Sequence, residues 1–256
     1  MTKNSGRNRP NARNHTKSEK NLSEGPLWLW GTHAVIAALQ NPKRRIQRLC
    51  VTRNAAARIP QTLQDGLELE DLAPKDIDRL LPHEAVHQGM AALVDPLPDT
   101  DLNDILEHQR VVVFDQLTDP HNIGAIFRSA AAFGFTAAVL QTRNVPALTG
   151  IAAKTAAGAL ETVDEVRVVN VSRALDTLSE AGFHTIGLDG DSNVYLNEAV
   201  QNANKIAIVI GAEGSGLRQG VAKACAQIAR IPISGAMESL NASNAAAIAF
   251  YEARNL

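Results

Sequence analysis

From about residue 108 onward, the apolar positions fall into short unbroken runs separated by amphipathic stretches. Residues 111–114, 136–140, 165–169, 184–188, 206–210 and 227–231 read as strands. Residues 122–133, 149–160, 172–181, 217–225 and 241–254 read as helices. Strands that are apolar throughout and alternate with helices predict an α/β fold, a parallel sheet with helices on both faces. Ahead of this lies a smaller α/β unit. Its expected elements are a helix at 32–39 striped by Val35, Ile36 and Leu39, a strand at 46–51, a helix at 55–64 and a short strand at 67–69. A helix at 74–81 with Pro74 in its first turn, and a strand at 89–94 after a turn at His87-Gln88-Gly89, complete it. Asp95-Pro96-Leu97-Pro98-Asp99 is a linker by composition, followed by a helix near 101–108. Residues 1–25 carry almost no apolar side chains and are expected to be a disordered basic tail. The division is therefore 1–25, 26–95, 96–107 and 108–256, and no internal repeat is visible.

Ligands of parallel sheets bind beyond the carboxyl ends of the strands, so the loops there carry the chemistry. Gly211-Ala212-Glu213-Gly214-Ser215-Gly216 follows the run 206–210, and glycines let backbone groups approach a ligand closely. No Lys-Ser/Thr follows these glycines, which excludes a P-loop, and the spacing fails the dinucleotide fingerprint. A second loop runs from Ile231 to Asn241 into an Ala-rich helix; Ser239 and Asn241 suit either a site or that helix's cap. A third, Asp115 to Ser129, places Asn122 as a plausible N-cap. Gly124 and Arg128 are four apart and share a helix face, which Gly124 leaves open for a ligand or a neighbouring helix. Ile123, Phe127 and Ala130 turn toward the sheet. From these residues alone, Arg128 fits a structural ion pair as well as a functional role.

The net charge is −2 over 256 residues, but its distribution is uneven. Lys3, Arg7, Arg9, Arg13, Lys17 and Lys20 stand against Glu19 and Glu24 in the tail. Lys43, Arg44, Arg45, Arg48, Arg53 and Arg58 form a second basic cluster, fitting either phosphate contacts or an ordinary solvated surface. Cys50 and Cys225 lie far apart and make neither a disulfide framework nor a zinc site, so no metal is expected. No apolar run approaches the ~20 residues of a membrane span, and the basic N-terminus lacks the apolar core of a secretory signal. A cytoplasmic protein without membrane contact is the expectation.

Asn122-x-Gly124-x-x-x-Arg128, then Gly211-x-Glu213-x-x-Gly216, then Ile231-Pro232-x-x-Gly235-x-x-x-Ser239-Leu240-Asn241-x-Ser243 resemble, in order, the three motifs of the SpoU/TrmH RNA 2′-O-ribose methyltransferases. Trp30-Gly31-Thr32-His33-Ala34-Val35 and Ala85-Val86-His87-Gln88-Gly89 resemble the substrate-binding domain of the RlmB-type subgroup, which acts on a guanosine 2′-hydroxyl of 23S ribosomal RNA. The likeness spans about 28–254. It implies a C-terminal trefoil knot, which periodicity could not reveal, preceded by a small L30e-like RNA-binding domain. It also implies S-adenosylmethionine as methyl donor, and a homodimer whose active sites draw on both subunits. By the same resemblance Arg128, Asn122, Glu213, Ser239 and Asn241 are the catalytic set. Leu188, Gly211, Gly216, Ile231, Ile233, Leu240 and Ala245 would hold the cofactor, and His33 and His87 would be structural or touch RNA. Gln116 and the polar Asn244 depart mildly from the pattern. The same chemistry on transfer RNA and a silent RNA-binding protein are the competing readings. A dinucleotide oxidoreductase lacks its fingerprint.

Overall fold

The computed structural model describes residues 25–64, 68–143, 148, 150–201, 203–235 and 239–255. Residues 1–24 of the expected tail, Leu67 of the expected strand 67–69 and Thr149 of the expected helix 149–160 lie outside these. The N-terminal unit runs β1 (Leu27–Trp30), α1 (Thr32–Gln40), β2 (Ile46–Val51), α2 (Arg53–Ala56), β3 (Glu70–Asp71), α3 (Pro74–Asp78) and β4 (Met90–Val94). Its four strands are ordered β1-β4-β2-β3, with β4 antiparallel to both neighbours. The C-terminal unit runs β5 (Arg110–Phe114), α4 (Pro120–Ala132), β6 (Ala137–Gln141), α5 (Gly150–Ala156), β7 (Asp164–Val168), α6 (Val171–Glu180), β8 (Phe183–Leu188), α7 (Leu196–Ala199), β9 (Lys205–Ile210), α8 (Gln219–Ala224), β10 (Gln227–Ala229) and α9 (Ala242–Glu252). Its sheet is parallel throughout, in the order β10-β8-β9-β5-β6-β7.

The two-residue repeat of β5 shows how the sheet is covered. Val112 and Phe114 enter one core with Phe127 of α4 and Phe250 of α9. Val111 and Val113 enter the other with Leu175 and Leu178 of α6 and Val221 of α8. Both faces are therefore buried, and each such side chain contributes about 1.5–3 kcal/mol. The chain runs from β5 outward through β6 and β7, then crosses to the far side for β8. The order reverses between β5 and β9, the switch point beyond whose strand ends sheets of this kind form their ligand crevice. No helix among the described residues is long and apolar enough to cross a membrane.

Several expected elements differ for local reasons. Strand β1 is absent from the sequence reading because four residues, Leu-Trp-Leu-Trp, carry no alternation to detect. The helix expected at 55–64 stops at Ala56; Pro60, without an N–H, leaves only a 3₁₀ turn at Gln61–Leu63. The short strand is Glu70–Asp71, just after the expected stretch 67–69. The expected helix near 101–108 is a 3₁₀ turn, Leu102–Ile105, whose Asp101 and Asp104 cap each other's backbone. Helix α5 ends at Ala156 because Ala157 and Gly158 have φ of 51° and 98°.

The two units pack through α1 and β1 against α5. A Cβ at Gly150 would lie 1.9 Å from the Trp30 ring, so only glycine permits this contact. Arg44 and Glu161 pair across the seam at 2.7 Å with side chains 6% and 4% exposed, and Asn41 Nδ2 donates to the same carboxylate at 2.8 Å. Removing one partner of a buried pair strands the other charge. Glu161→Ala is therefore expected to destabilise the fold by about 3 kcal/mol, read as a lowered midpoint in urea unfolding.

Late in the chain, residues 228–230 are bonded on both sides by the stretch 189–196. Asp189 N donates to Ala229 O at 3.0 Å and Ser192 Oγ to Ile228 O at 2.7 Å. Arg230 N donates to Val194 O and Leu196 N to Arg230 O, each at 2.9 Å. A strand made thirty residues later is thus gripped by an earlier bend.

Candidate active site

Helix α4 begins earlier than expected. Its cap is Asp119, whose side chain accepts the His121 N–H at 3.0 Å, with Pro120 in the first turn. Asn122 is therefore not the cap. It sits in the first turn, 8% exposed, with its amide free to reach other loops. Its Nδ2 donates to Glu213 Oε1 at 3.1 Å, and its Oδ1 accepts from Asn241 Nδ2 at 3.1 Å. Asn241 Nδ2 also donates to Glu213 Oε1 at 2.5 Å, and Ala242 N donates there at 3.3 Å. One residue from each of three loops, 91 and 28 positions apart, closes a triangle on a single carboxylate oxygen.

Asn241 also serves as the N-cap of α9. Its Oδ1 accepts from Ser243 N at 2.9 Å, from Ser243 Oγ at 2.6 Å and from Asn244 N at 3.4 Å. Cap and loop tie are thus one residue acting both ways. Ser239 is exposed and has no hydrogen bond among the described residues. The face that Gly124 opens is filled by α5: an added Cβ would lie 2.5 Å from Ala152 O and 2.8 Å from Thr155 Cβ. A neighbouring helix, not a ligand, uses that glycine. Arg128, farther along α4, is exposed and has no ion pair or side-chain hydrogen bond among the described residues.

The residues suggested for the cofactor follow adjacent strand ends. Leu188 closes β8, Gly211 follows β9, and Ile231 lies two residues beyond β10. Leu188, Ile231, Leu240 and Ala245 are half-buried, and Ile233 is 41% exposed. Gly211 packs on the backbone of its own loop, where an added Cβ would lie 2.3 Å from Gly216 C. The loop is pinned across this point by Gly216 N to Ala212 O at 2.9 Å and Ala212 N to Gly216 O at 3.2 Å, and Gly216 has φ of 64°. A cavity of about 810 Å³ opens elsewhere, between Pro96–Thr100 and β7, so concavity does not locate this site; the bonds between loops do.

Two residues at the crevice escaped the sequence reading. Asp115, fully buried just after β5, accepts from the Arg218 backbone N–H at 2.8 Å and from its Nε at 2.7 Å. A lone carboxylate ending an apolar strand was the available signal. Nearby, burial pushes the Cys225 thiol from 9.0 up to about 12, and Asp115 pushes the same way. A thiol kept neutral in the fold adds stability that is complete below its unfolded value and is lost as pH rises from about 9 toward 12. The wild type is expected to lose stability over that window more steeply than Cys225→Ala, measured by urea unfolding at stepped pH.

The other candidates are spread differently. Of the basic cluster, Arg44 turns inward to Glu161 and Arg48 pairs with Glu70 at 2.8 Å, so the cluster is not one open patch. Glu70 raises the Arg48 pKa, and Arg48 in turn holds the Glu70 carboxyl below its usual range. His87 is built into its turn, accepting from Gly89 N at 2.9 Å and lying 3.1 Å from Asp78, while His33 is exposed.

Residues 109–251 match the family described as SpoU rRNA Methylase. The chain belongs to the SpoU family. Residues 28–100 match a second family, described as RNA 2′-O ribose methyltransferase substrate binding. The chain is 38% identical over 237 residues to an uncharacterised tRNA/rRNA methyltransferase of Synechocystis sp., covering 88% of this chain and 61% of that protein. It is 35% identical over 237 residues to the 23S rRNA (guanosine-2′-O-)-methyltransferase RlmB of Vibrio vulnificus, covering 88% of this chain and 95% of that one. Among solved structures, the SpoU methyltransferase AviRb of Streptomyces viridochromogenes, in complex with AdoMet, superposes with a TM-score of 0.77 at 24% identity over 90% of each chain. That likeness is one of fold. In this SpoU chain Asn122, Glu213 and Asn241, one residue from each motif, are the ones the three loops bring together.

Proposed function

We propose that the protein transfers a methyl group from S-adenosylmethionine to the ribose 2′-hydroxyl of a guanosine in 23S ribosomal RNA. The observation that carries this reading is the Asn122–Glu213–Asn241 triangle, which joins the three loops at the switch point of the sheet. The substrate follows the Vibrio relative, which shares most of its length with this chain.

The residues present fit the cofactor. Leu188, Ile231, Ile233 and Leu240 leave apolar surface only partly covered beyond the ends of the neighbouring strands β8 and β10, with backbone N–H and C=O groups between them. Such a lining suits an adenine, whose edge asks for neutral partners. S-adenosylmethionine would supply an electrophilic methyl on a sulfonium, already a good leaving group. The remaining difficulty is a weakly acidic alcohol, which must be oriented and relieved of its proton. A guanidinium carries its charge at neutral pH and offers no base, so the role of Arg128 here is to hold a substrate phosphate and stabilise developing alkoxide charge. Ser239 stands beside the reacting hydroxyl. Glu213 keeps Asn122 and Asn241 in register, and Gly211, Gly216 and Ala245 shape the cofactor loops.

In the same reading, 26–95 is the L30e-like RNA-binding domain, 96–107 the linker and 108–256 the methyltransferase domain. The grip of 189–196 on 228–230 supports a trefoil knot in this reading, which runs against the general rule for chain connections. Phe133, Ile248 and Tyr251, on one side of α4 and α9, form part of a homodimer face, with the last two exposed. The test is transfer of radiolabelled methyl from S-adenosylmethionine to purified 23S ribosomal RNA and, in parallel, to transfer RNA. Label in the ribosomal RNA is expected. Label in transfer RNA alone would move the protein to the other substrate, and binding of RNA without S-adenosylmethionine would make it a silent member of the family.

A further inference from the structure

Asp115 is the most deeply buried charged side chain of the crevice, and the reaction described above does not use it. It touches both ends of the glycine loop. Its N–H donates to Ile210 O at 2.8 Å, where the loop starts. Its Oδ2 accepts the Arg218 backbone N–H at 2.8 Å, where the loop ends. Its Oδ1 accepts from Arg218 Nε at 2.7 Å and lies 2.6 Å from Nη2 in an ion pair. The guanidinium also reaches Gln141 Oε1, at the end of β6, at 3.4 Å. One carboxylate therefore pins the base of the stretch 211–217, and its guanidinium partner fastens that base to the end of a third strand. Glu213, on which Asn122 and Asn241 converge, projects from this stretch.

We infer that Asp115 and Arg218 are positioning residues: together they fix the glycine loop so that Glu213 meets Asn122 and Asn241, and thereby set the cofactor pocket. The inference rests on the proposed methyl transfer for its pocket, and on geometry alone for its loop. Charge-assisted hydrogen bonds are the strong kind, and a guanidinium that bonds Asp115 and Gln141 at once loses that geometry when a point charge replaces it. Their effect is indirect, since neither residue needs to touch the reacting atoms.

Arg218→Lys is the informative variant because it keeps a cation over the buried Asp115 and so protects folding. It is expected to unfold near the wild-type temperature. Exchange of the amide hydrogens in 211–218 should quicken by about 10-fold, as a local opening. Affinity for S-adenosylmethionine, by calorimetry, should fall by roughly 10-fold, the loss of one charged hydrogen bond. Glu213→Gln should weaken the same affinity, and the double variant Arg218→Lys/Glu213→Gln should be no weaker than Glu213→Gln alone, because both act through one element. Wild-type affinity in Arg218→Lys, or multiplying losses in the double variant, would overturn the inference. Exchange needs no cofactor, so a wild type that binds no S-adenosylmethionine would end the functional reading, while unchanged exchange in Arg218→Lys would end this one.

Discussion

Arg128→Ala is expected to lower the rate of methyl transfer by about 10³-fold, the effect of removing one preorganised charge from a developing alkoxide. The reasoning begins with what the change leaves alone. Arg128 is exposed and has no ion pair or side-chain hydrogen bond among the described residues, so its loss strands no partner among them. Alanine is the better helix former, so α4 should keep its stability. Asn122, Glu213 and Asn241 hold each other without it. Thermal unfolding and S-adenosylmethionine affinity should therefore match the wild type while turnover collapses. Arg128→Lys should recover only part of the rate, since an ammonium lacks the planar fork. Turnover near wild type in Arg128→Ala would remove this residue from the chemistry.

Gly211→Ala is expected to weaken S-adenosylmethionine binding by at least about 100-fold and to cost about 1–3 kcal/mol of stability through overpacking. The added methyl would meet Gly216 C at 2.3 Å, Gly216 O at 2.4 Å and Leu217 N at 2.6 Å. All three are backbone atoms, in a loop already closed by two hydrogen bonds between residues 212 and 216. No side chain can rotate aside, so the loop must open and carry Glu213 away from both asparagines. Gly190→Ala is the control, because a methyl there meets nothing within 4 Å. Calorimetry and urea unfolding on the two variants separate the cases. Equal binding by both would mean the glycine loop has no part in the pocket.

The alternation of apolar strands with helices was readable because both faces of the sheet are buried, which turns each strand into a continuous apolar run. The three motifs were readable because each follows such a run. Which loops touch was not readable. The bond from Asn122 to Glu213 spans 91 positions and that from Arg218 to Asp115 spans 103, and such contacts exist only once the sheet order is set. Asn122 illustrates the limit. Its residue type suits a cap, but Asp119 ahead of Pro120 competes for that place and wins, freeing Asn122 for the site. Gly124 illustrates another: its cost within a helix signals a close neighbour, but only packing shows that the neighbour is α5.

The most direct test is nucleoside mass spectrometry of 23S ribosomal RNA after incubation with the protein and S-adenosylmethionine labelled in its methyl group. The account predicts the label in a 2′-O-methylguanosine, and its disappearance with Arg128→Ala. Label on a base, or no transfer by a protein that binds S-adenosylmethionine and this RNA, would contradict it.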